Sequence, residues 1–288
     1  MKEKNIAILV VGYKRPQHLE NAILSIKASG AVSEDIPVYV SVDGVKDGDA
    51  KKYLNEETQA AAAKLKTAGV VDKLLLRSKN LGTLQNMTRS ISEVLARHDN
   101  VVVLEDDLVL TKAACGLFEI GPNLLKGKVS AVSAYSNKSF TNVPFLSRRF
   151  NSQGWMTNRA FWTDFDYQEM RSLDLDAQQR TSVIRSVGRD LLEDFDAFQR
   201  HRLDSWAVPW NIHNFLKNQY MVYPPRSLVE NFSHEEGAER TQGISFPYEM
   251  SSTPFSEWTF SELTENTRYL RHFSYYSRLK RRLRSIVG

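Results

Sequence analysis

The stretch Val101–Leu110 (VVVLEDDLVL) constrains this chain more than any other. Four apolar residues, three of them β-branched, run into Glu105, Asp106 and Asp107; apolar residues resume at Leu108, Val109 and Leu110. A short continuous apolar run reads as a strand buried on both faces, as in a parallel sheet. Three carboxylates where such a strand ends are costly, because neighbouring like charges and burial both disfavour ionisation. Something cationic is therefore expected beside them. Ligands of open α/β sheets bind outside the carboxyl ends of the strands, and hard oxygen ligands suit Mg²⁺ or Mn²⁺. The triplet reads as a divalent-metal site holding the diphosphate of a sugar nucleotide. A solvated acidic turn is the alternative.

The preceding residues supply a frame for such a site. Ile6–Val11 is a second buried-strand pattern, ended by Gly12-Tyr13-Lys14-Arg15-Pro16. Pro is tolerated in the first turn of a helix, and Leu19, Ala22, Ile23 and Ile26 supply a 3.6-residue stripe behind it. Pro37–Val42 predicts a strand stopped by Asp43-Gly44. Residues 46–68 predict a helix anchored by Leu54 and Leu65, Val70–Leu76 a strand, and Thr83–Ala96 a helix. Strand and helix alternating at this spacing imply a parallel sheet of βαβ units. Beyond Leu110 the rhythm loosens. Lys112–Leu125 reads as helix, Val129–Tyr135 as strand, 136–151 as loop, Arg159–Tyr167 as an aromatic-rich helix and 169–200 as mainly helical. Leu203–Trp210, Met221–Pro225 and Leu228–Asn231 complete the core, followed by a polar loop, Ser233–Gln242. The division expected is 1–110 for nucleotide-sugar binding, 111–263 for acceptor binding within the same domain, and 264–288 as a tail.

Composition narrows the classes. A chain of 288 residues, 42% hydrophobic and 25% charged, can bury a sizeable core. One cysteine, Cys115, excludes a disulfide framework and disfavours a thiolate zinc site. No stretch approaches 18 apolar residues, and the first apolar run is too short and too early for a signal peptide. A cytoplasmic protein is expected, peripheral on the inner face of the cell membrane. The net charge of +4 is concentrated at one end: from Arg268 onward there are seven Lys/Arg and no Asp/Glu, leaving 31 basic against 34 acidic side chains elsewhere. A basic nucleic-acid-binding body is not indicated. Tyr269, Leu270, Phe273, Tyr276, Leu279, Leu283 and Ile286 recur every three or four residues between those cations. The tail thus reads as a basic amphipathic helix for an anionic membrane surface, or else as a terminal helix packed on the body.

Other residues carry two readings each. Asp43 suits an Asp-Gly turn or a carboxylate accepting from a nucleobase imide. Arg15 is an exposed arginine or a cation for a diphosphate, and Asn80-Leu81-Gly82 a simple loop or part of the donor site. Asp204 beside Trp206 and Trp210 is a helix cap or a general base for an acceptor hydroxyl. Ser233 and His234 sit in a polar, glycine-containing loop that either connects elements or closes over a nucleotide.

Taken in order, IAILVVGYKRPQHLENAI, VYVSVDG, RSKNLGTLQNM and VVVLEDD resemble the broad family 2 of GT-A-fold glycosyltransferases. VVVLEDDLVL, AVSAYSN, SQGWMTNRAFW, DSW and NFSHEEGAERT resemble the N-acetylglucosaminyltransferase I type (family 13) and its bacterial relatives. The likeness covers residues 4–242. It implies a Rossmann-like, mostly parallel central sheet flanked by helices, with the basic helix appended. It implies that Asp107 binds the metal, Glu105 and Asp106 contact the donor's sugar and ribose, Asp43 binds uracil, and Arg15 lies near the phosphates. Asn80 joins the donor residues, and Ser233, with His234, contacts the diphosphate. Asp204 corresponds to the base, although Ser205 stands where the family has a second acid. Gly154, Trp155 and Trp206 fall beside the acceptor and donor sugar. The activity implied is metal-dependent, inverting transfer from a UDP-sugar to a glycan or lipid-linked glycan, in surface polysaccharide or lipopolysaccharide synthesis. The rival classes are a sugar-1-phosphate nucleotidyltransferase, whose glycine-rich basic loop Gly12–Pro16 matches poorly, and a non-catalytic membrane-associated scaffold.

Overall fold

Strand β1 (Ile6–Gly12) lies inside the sheet, pairing in parallel with β2 (Val38–Val42) on one side and β4 (Asn100–Glu105) on the other. The computed structural model describes residues 5–30, 35–137, 139–232 and 248–271. β3 (Lys73–Leu76) extends the β2 side, again in parallel. The connections are helices α1 (Pro16–Ala28), α2 (Lys52–Thr67) and α3 (Gly82–Leu95). The chain thus steps outward from β1 to β3, and α3 returns it to the opposite side of β1. That reversal makes the carboxyl ends of β1 and β4 the topological switch point, where an open α/β sheet leaves a crevice.

Period-two alternation divides the side chains between the two faces. Ile6, Ile8, Val10, Val102 and Leu104 pack with α1, α2 and a further helix, α4 (Leu117–Leu124). Ala7, Leu9, Val101 and Val103 pack with α3 and the helices of the second half. All nine strand residues are 1% exposed or less, so both faces are covered. That explains the unbroken apolar runs in the sequence.

Among the described residues the sheet has eight strands, in the order β3-β2-β1-β4-β8-β6-β9-β7. β6 (Val129–Ser133) and β9 (Tyr220–Tyr223) run parallel to β4, whereas β8 (Trp155–Asn158) and β7 (Phe145–Ser147) are inserted antiparallel. The sheet is therefore mostly parallel and flanked by helices, as expected. It is also continuous across the expected boundary at residue 110.

Several sequence expectations are corrected. VVVLEDDLVL is two strands in two sheets: β4 ends at Glu105, Asp106-Asp107 turn, and β5 (Leu108–Leu110) pairs antiparallel with β10 (Val229–Asn231). Two adjacent charged groups break a strand buried on both faces, and the Asp106 N–H leaves the ladder bonded to Val11 O. The helix over Lys112–Leu125 is interrupted at Gly116, which has φ +88° and allows only α4 to follow. The aromatic-rich helix is two short ones, α5 (Arg159–Trp162) and α6 (Tyr167–Ser172). α7 (Ala177–Ser186) and α8 (Arg189–Gln199) follow, separated by Gly188. Residues expected to belong only to the core after Leu203 form α9 (Ala207–Leu216). The first part of the expected tail belongs to the body: Leu146 N–H donates to Thr264 O, Asn266 N–H to Leu146 O, and Tyr269 is fully buried on Phe145 and Tyr223. Tyr269 therefore does not face a membrane. The remaining tail, 272–288, lies outside the described residues. No helix among the described residues is long and apolar enough to cross a membrane.

Candidate functional site

The loops after β1 and β4 meet at the switch point. Arg15 ends the first loop just before Pro16 starts α1, and its side chain reaches across to the second. One guanidinium nitrogen contacts Asp106, and the other donates to Asp107 Oδ2 at 3.2 Å. The pair is well sheltered: side-chain exposure is 21% for Arg15, 4% for Asp106 and 12% for Asp107. Burial raises the Asp106 pKa most, Arg15 opposes it and the Asp107 charge adds to it, leaving the group pushed up to about 6. Burial opposes the charge on Arg15, yet the two carboxylates hold its pKa above the ordinary value. The cation foreseen beside the acidic triplet is thus supplied by the chain itself. Glu105 is the last residue of β4, opposite Val11.

The first loop is fixed from outside the sheet. Lys14 pairs with Asp49 at 2.8 Å, and the fully buried Asn55 of α2 donates to Tyr13 O and Asp43 O. Asn55 takes the inward position expected for Leu54, which lies only half-buried. The sequence signal was an asparagine on the same helical stripe as Thr58, Ala62 and Leu65. Gly12 leaves room for the acids, since a Cβ there would stand 3.3 Å from Asp106 Oδ2 and 3.1 Å from Leu19 Cδ1.

A second pair of carboxylates, Asp43 and Asp204, meets the N-terminus of α3. Asp43 Oδ1 accepts from Gly44 N–H (2.8 Å) and Leu81 N–H (2.9 Å). Its Oδ2 accepts from Gly82 N–H (3.0 Å) and the Asn80 amide (3.1 Å). Burial raises its pKa, against these hydrogen bonds and the charge of Arg77. Asp204 takes the next two donors, Thr83 N–H at 2.7 Å and Leu84 N–H at 3.0 Å. Four successive main-chain amides at the positive end of a 14-residue helix are thereby satisfied by two side chains.

These contacts show what three of the foreseen site residues do within the fold. A carboxylate has about four acceptor sites, and Asp43 uses them on the donors of Gly44, Leu81, Gly82 and Asn80, tying the end of β2 to the start of α3. Asn80 braces Asp43 and Gly44 O from within the loop. Asp204 is a helix cap, as one reading of it held, but of a helix 120 residues earlier in the chain.

Gly154, Trp155 and Trp206 are also placed differently from a sugar-contacting group. Trp155 stacks on Trp206 with centroids 5.1 Å apart, and Trp162, Trp210 and Phe150 surround them. Trp155 is 1% and Trp206 3% exposed. Such rings stabilise the helical face of the fold by area burial and leave no face open to a ligand. Gly154 has φ +70° and turns the chain into β8; a Cβ there would stand 3.4 Å from Ala134 and 3.5 Å from Leu104 and Val229. Ser233 and His234 lie outside the described residues; the residue before them, Phe232, donates its N–H to Asp107 O at 2.8 Å.

The donor chemistry at the switch point fits a dication shared with a substrate. No group of three or more His, Cys, Asp or Glu among the described residues is arranged to hold a metal. Two carboxylates are nevertheless sufficient for Mg²⁺ or Mn²⁺ when phosphate oxygens and water complete the shell.

Three solved structures are similar to this chain. The chain is similar to a mannosyltransferase from Pyrobaculum calidifontis solved with GDP-Man and Mn²⁺, at 12% identity and TM-score 0.44, over 74% of this chain and 69% of that one. It is similar to S. aureus TarS (residues 1–349) at 11% identity and TM-score 0.45, over 79% of this chain and 61% of that one, less than two thirds of its length. A galactosyltransferase, LgtC, solved with donor and acceptor sugar analogues, gives 13% identity and TM-score 0.39, over 75% and 72%. No protein-family model matches the chain, and no curated protein matches it. At these scores the likeness transfers no residue roles, and the α/β assignment stands on the sheet order itself.

Proposed function

We propose that this chain is a GT-A-type glycosyltransferase that moves a sugar from a nucleoside-diphosphate donor, UDP-linked by the sequence resemblance, to a hydroxyl of a glycan or lipid-linked glycan. The observation that carries the reading is the Arg15–Asp106–Asp107 cluster at the crevice between β1 and β4. Departure of a nucleoside diphosphate builds negative charge on its phosphate oxygens, and prepositioned cations lower the barrier to that step. Asp107, with Asp106, would hold Mg²⁺ or Mn²⁺, which would supply charge neutralisation at the leaving diphosphate. Arg15 would supply a second cation for the same oxygens. Inversion would need one base on the acceptor side and no protein nucleophile. Asp204 positions α3 in this reading, and whether it also serves as the base is decided by the turnover of Asp204→Asn.

The experiment is a thermal-shift screen of nucleotide sugars with and without Mn²⁺, since a ligand of the folded state raises its stability, followed by product analysis. Metal-dependent stabilisation and release of a nucleoside diphosphate support transfer. Release of pyrophosphate would instead identify a nucleotidyltransferase, and no nucleotide binding at all a scaffold. The basic tail supports a second proposal, docking on the cytoplasmic face of an anionic membrane, at about 1 kcal/mol per Lys or Arg near the surface. Truncation after Arg271, which spares the buried Tyr269, should abolish sedimentation with phosphatidylserine vesicles. Unchanged sedimentation would end that proposal.

A further inference from the structure

Building on the proposed function, we infer that Arg15 is an internal counter-cation which a dication and a nucleoside diphosphate displace together, so that the two ligands bind as one unit. Two sheltered carboxylates already share the single positive charge of one guanidinium, through both of its terminal nitrogens. A dication arriving alone must compete with a charge covalently attached to the chain. It must do so with only two protein carboxylates to offer it ligands, since no cluster of three acids, histidines or cysteines is present among the described residues. A diphosphate arriving alone meets a crevice whose arginine is already engaged by the two acids. When both arrive, the dication takes the carboxylates and the freed guanidinium turns to the phosphate oxygens, which it matches bidentately. Each ion pair that is broken is then replaced by another.

The geometry permits this exchange. Among the described residues, the Arg15 side chain hydrogen-bonds only to the two acids and to nothing in α1 or its own loop. Asp106 and Asp107, by contrast, are held on the turn between β4 and β5, with the Asp106 N–H on Val11 O and the Asp107 carbonyl on Phe232 N–H. The cation is on a long flexible arm, and the carboxylates are on fixed backbone. Arg15 is therefore a positioning residue whose effect appears as coupling between two ligands. By thermodynamic reciprocity, the factor by which the nucleotide tightens the metal equals the factor by which the metal tightens the nucleotide.

The test is isothermal titration of the full chain with MnCl₂ alone, UDP or GDP alone, and each in the presence of the other. In the wild type, nucleoside diphosphate should tighten Mn²⁺ at least about tenfold, which is about 1.4 kcal/mol of coupling. Arg15→Met should bind Mn²⁺ alone at least tenfold tighter than the wild type and lose most of the coupling. Arg15→Gln, which keeps a hydrogen-bond donor without the charge, should do the same and serves if the methionine variant does not fold. A folded Arg15 variant that binds Mn²⁺ alone no more tightly than the wild type would overturn the exchange, even with metal-dependent nucleotide binding intact. Failure of both wild type and variants to bind Mn²⁺ with either nucleotide would overturn the functional reading beneath it.

Discussion

The two carboxylate pairs at the carboxyl edge of the sheet are satisfied in opposite ways. Asp43 and Asp204 bind main-chain amides at the N-terminus of α3, which cannot leave without unwinding a helix. Asp106 and Asp107 bind one arginine side chain, which can leave by rotating about its own bonds. Asp43, Asp106 and Asp107 are charges removed from water, whereas Asp204 caps α3 from the exposed side. The first arrangement is permanent and belongs to the architecture. The second is exchangeable, and exchange is what a site for a charged ligand requires.

Breaking the permanent pair should have the largest effect. Asp43→Ala strands the N–H groups of Gly44, Leu81 and Gly82 and the Asn80 amide. The expected loss is about 3–4 kcal/mol, from a lost cap and buried donors without acceptors. Urea unfolding measures it, and a loss below about 1 kcal/mol would mean that water takes over those donors.

The exchangeable pair should reveal itself through pH. The folded pKa of Asp106, about 6, lies above its ordinary value of 3.8, so the folded state holds a proton that the unfolded chain has released. Stability from this group is therefore greatest below about pH 4 and declines as pH rises towards 6, by about 2–3 kcal/mol in all. Asp106→Asn should flatten that slope in denaturation midpoints recorded across the window. A wild-type curve that rises between pH 4 and 6 and is unaltered by the substitution would contradict the assignment.

Asp204→Ala should cost about 1–2 kcal/mol, an ordinary helix-cap loss, and leave nucleoside-diphosphate affinity near the wild-type value. Asp204→Asn retains an acceptor oxygen and should cost less. If that variant is as stable as the wild type and binds donor normally but turnover falls by a hundredfold or more, the carboxylate is a base as well as a cap. Kinetics and unfolding on one preparation separate the two roles.

The smallest effect sharpens the same comparison. Gly82 has φ +77°, and a Cβ there would stand 2.8 Å from Asp204 Oδ2. Gly82→Ala should cost about 1 kcal/mol or a little more. In the Asp204→Ala background the penalty should shrink, leaving a coupling of about 0.5 kcal/mol or more in a double-mutant cycle. Strict additivity would show that the backbone strain, and not the carboxylate, sets the penalty.

The pattern of recognition along the chain has a physical explanation. β1 through β4 and their helices were legible because strands covered on both faces must be apolar at every position, and the intervening helices carry a 3.6-residue stripe. The antiparallel insertions β7 and β8 were not: FLS and WMTN are three and four residues long and offer too little pattern to count. α9 was obscured by Pro209 and by burial all round, which removes the amphipathic signal. The acids at residues 105–107 announced a cation because a charge cluster at a buried strand end is costly wherever the strand lies.

The amino-acid order alone therefore determined the class of fold, the edge of the sheet that carries charge, and the demand for a positive partner there. Those properties follow from local patterning and from the cost of isolated charge. Which partner answers each carboxylate was decided by the tertiary structure. Arg15 reaches acids 91 and 92 residues away, and Asp204 reaches a helix 120 residues earlier. The burial that turned Trp155 and Trp206 into core likewise came from packing five rings together. Hydrogen bonds and ring contacts act over a few ångströms of space, and only the folded chain specifies which distant residues share that space.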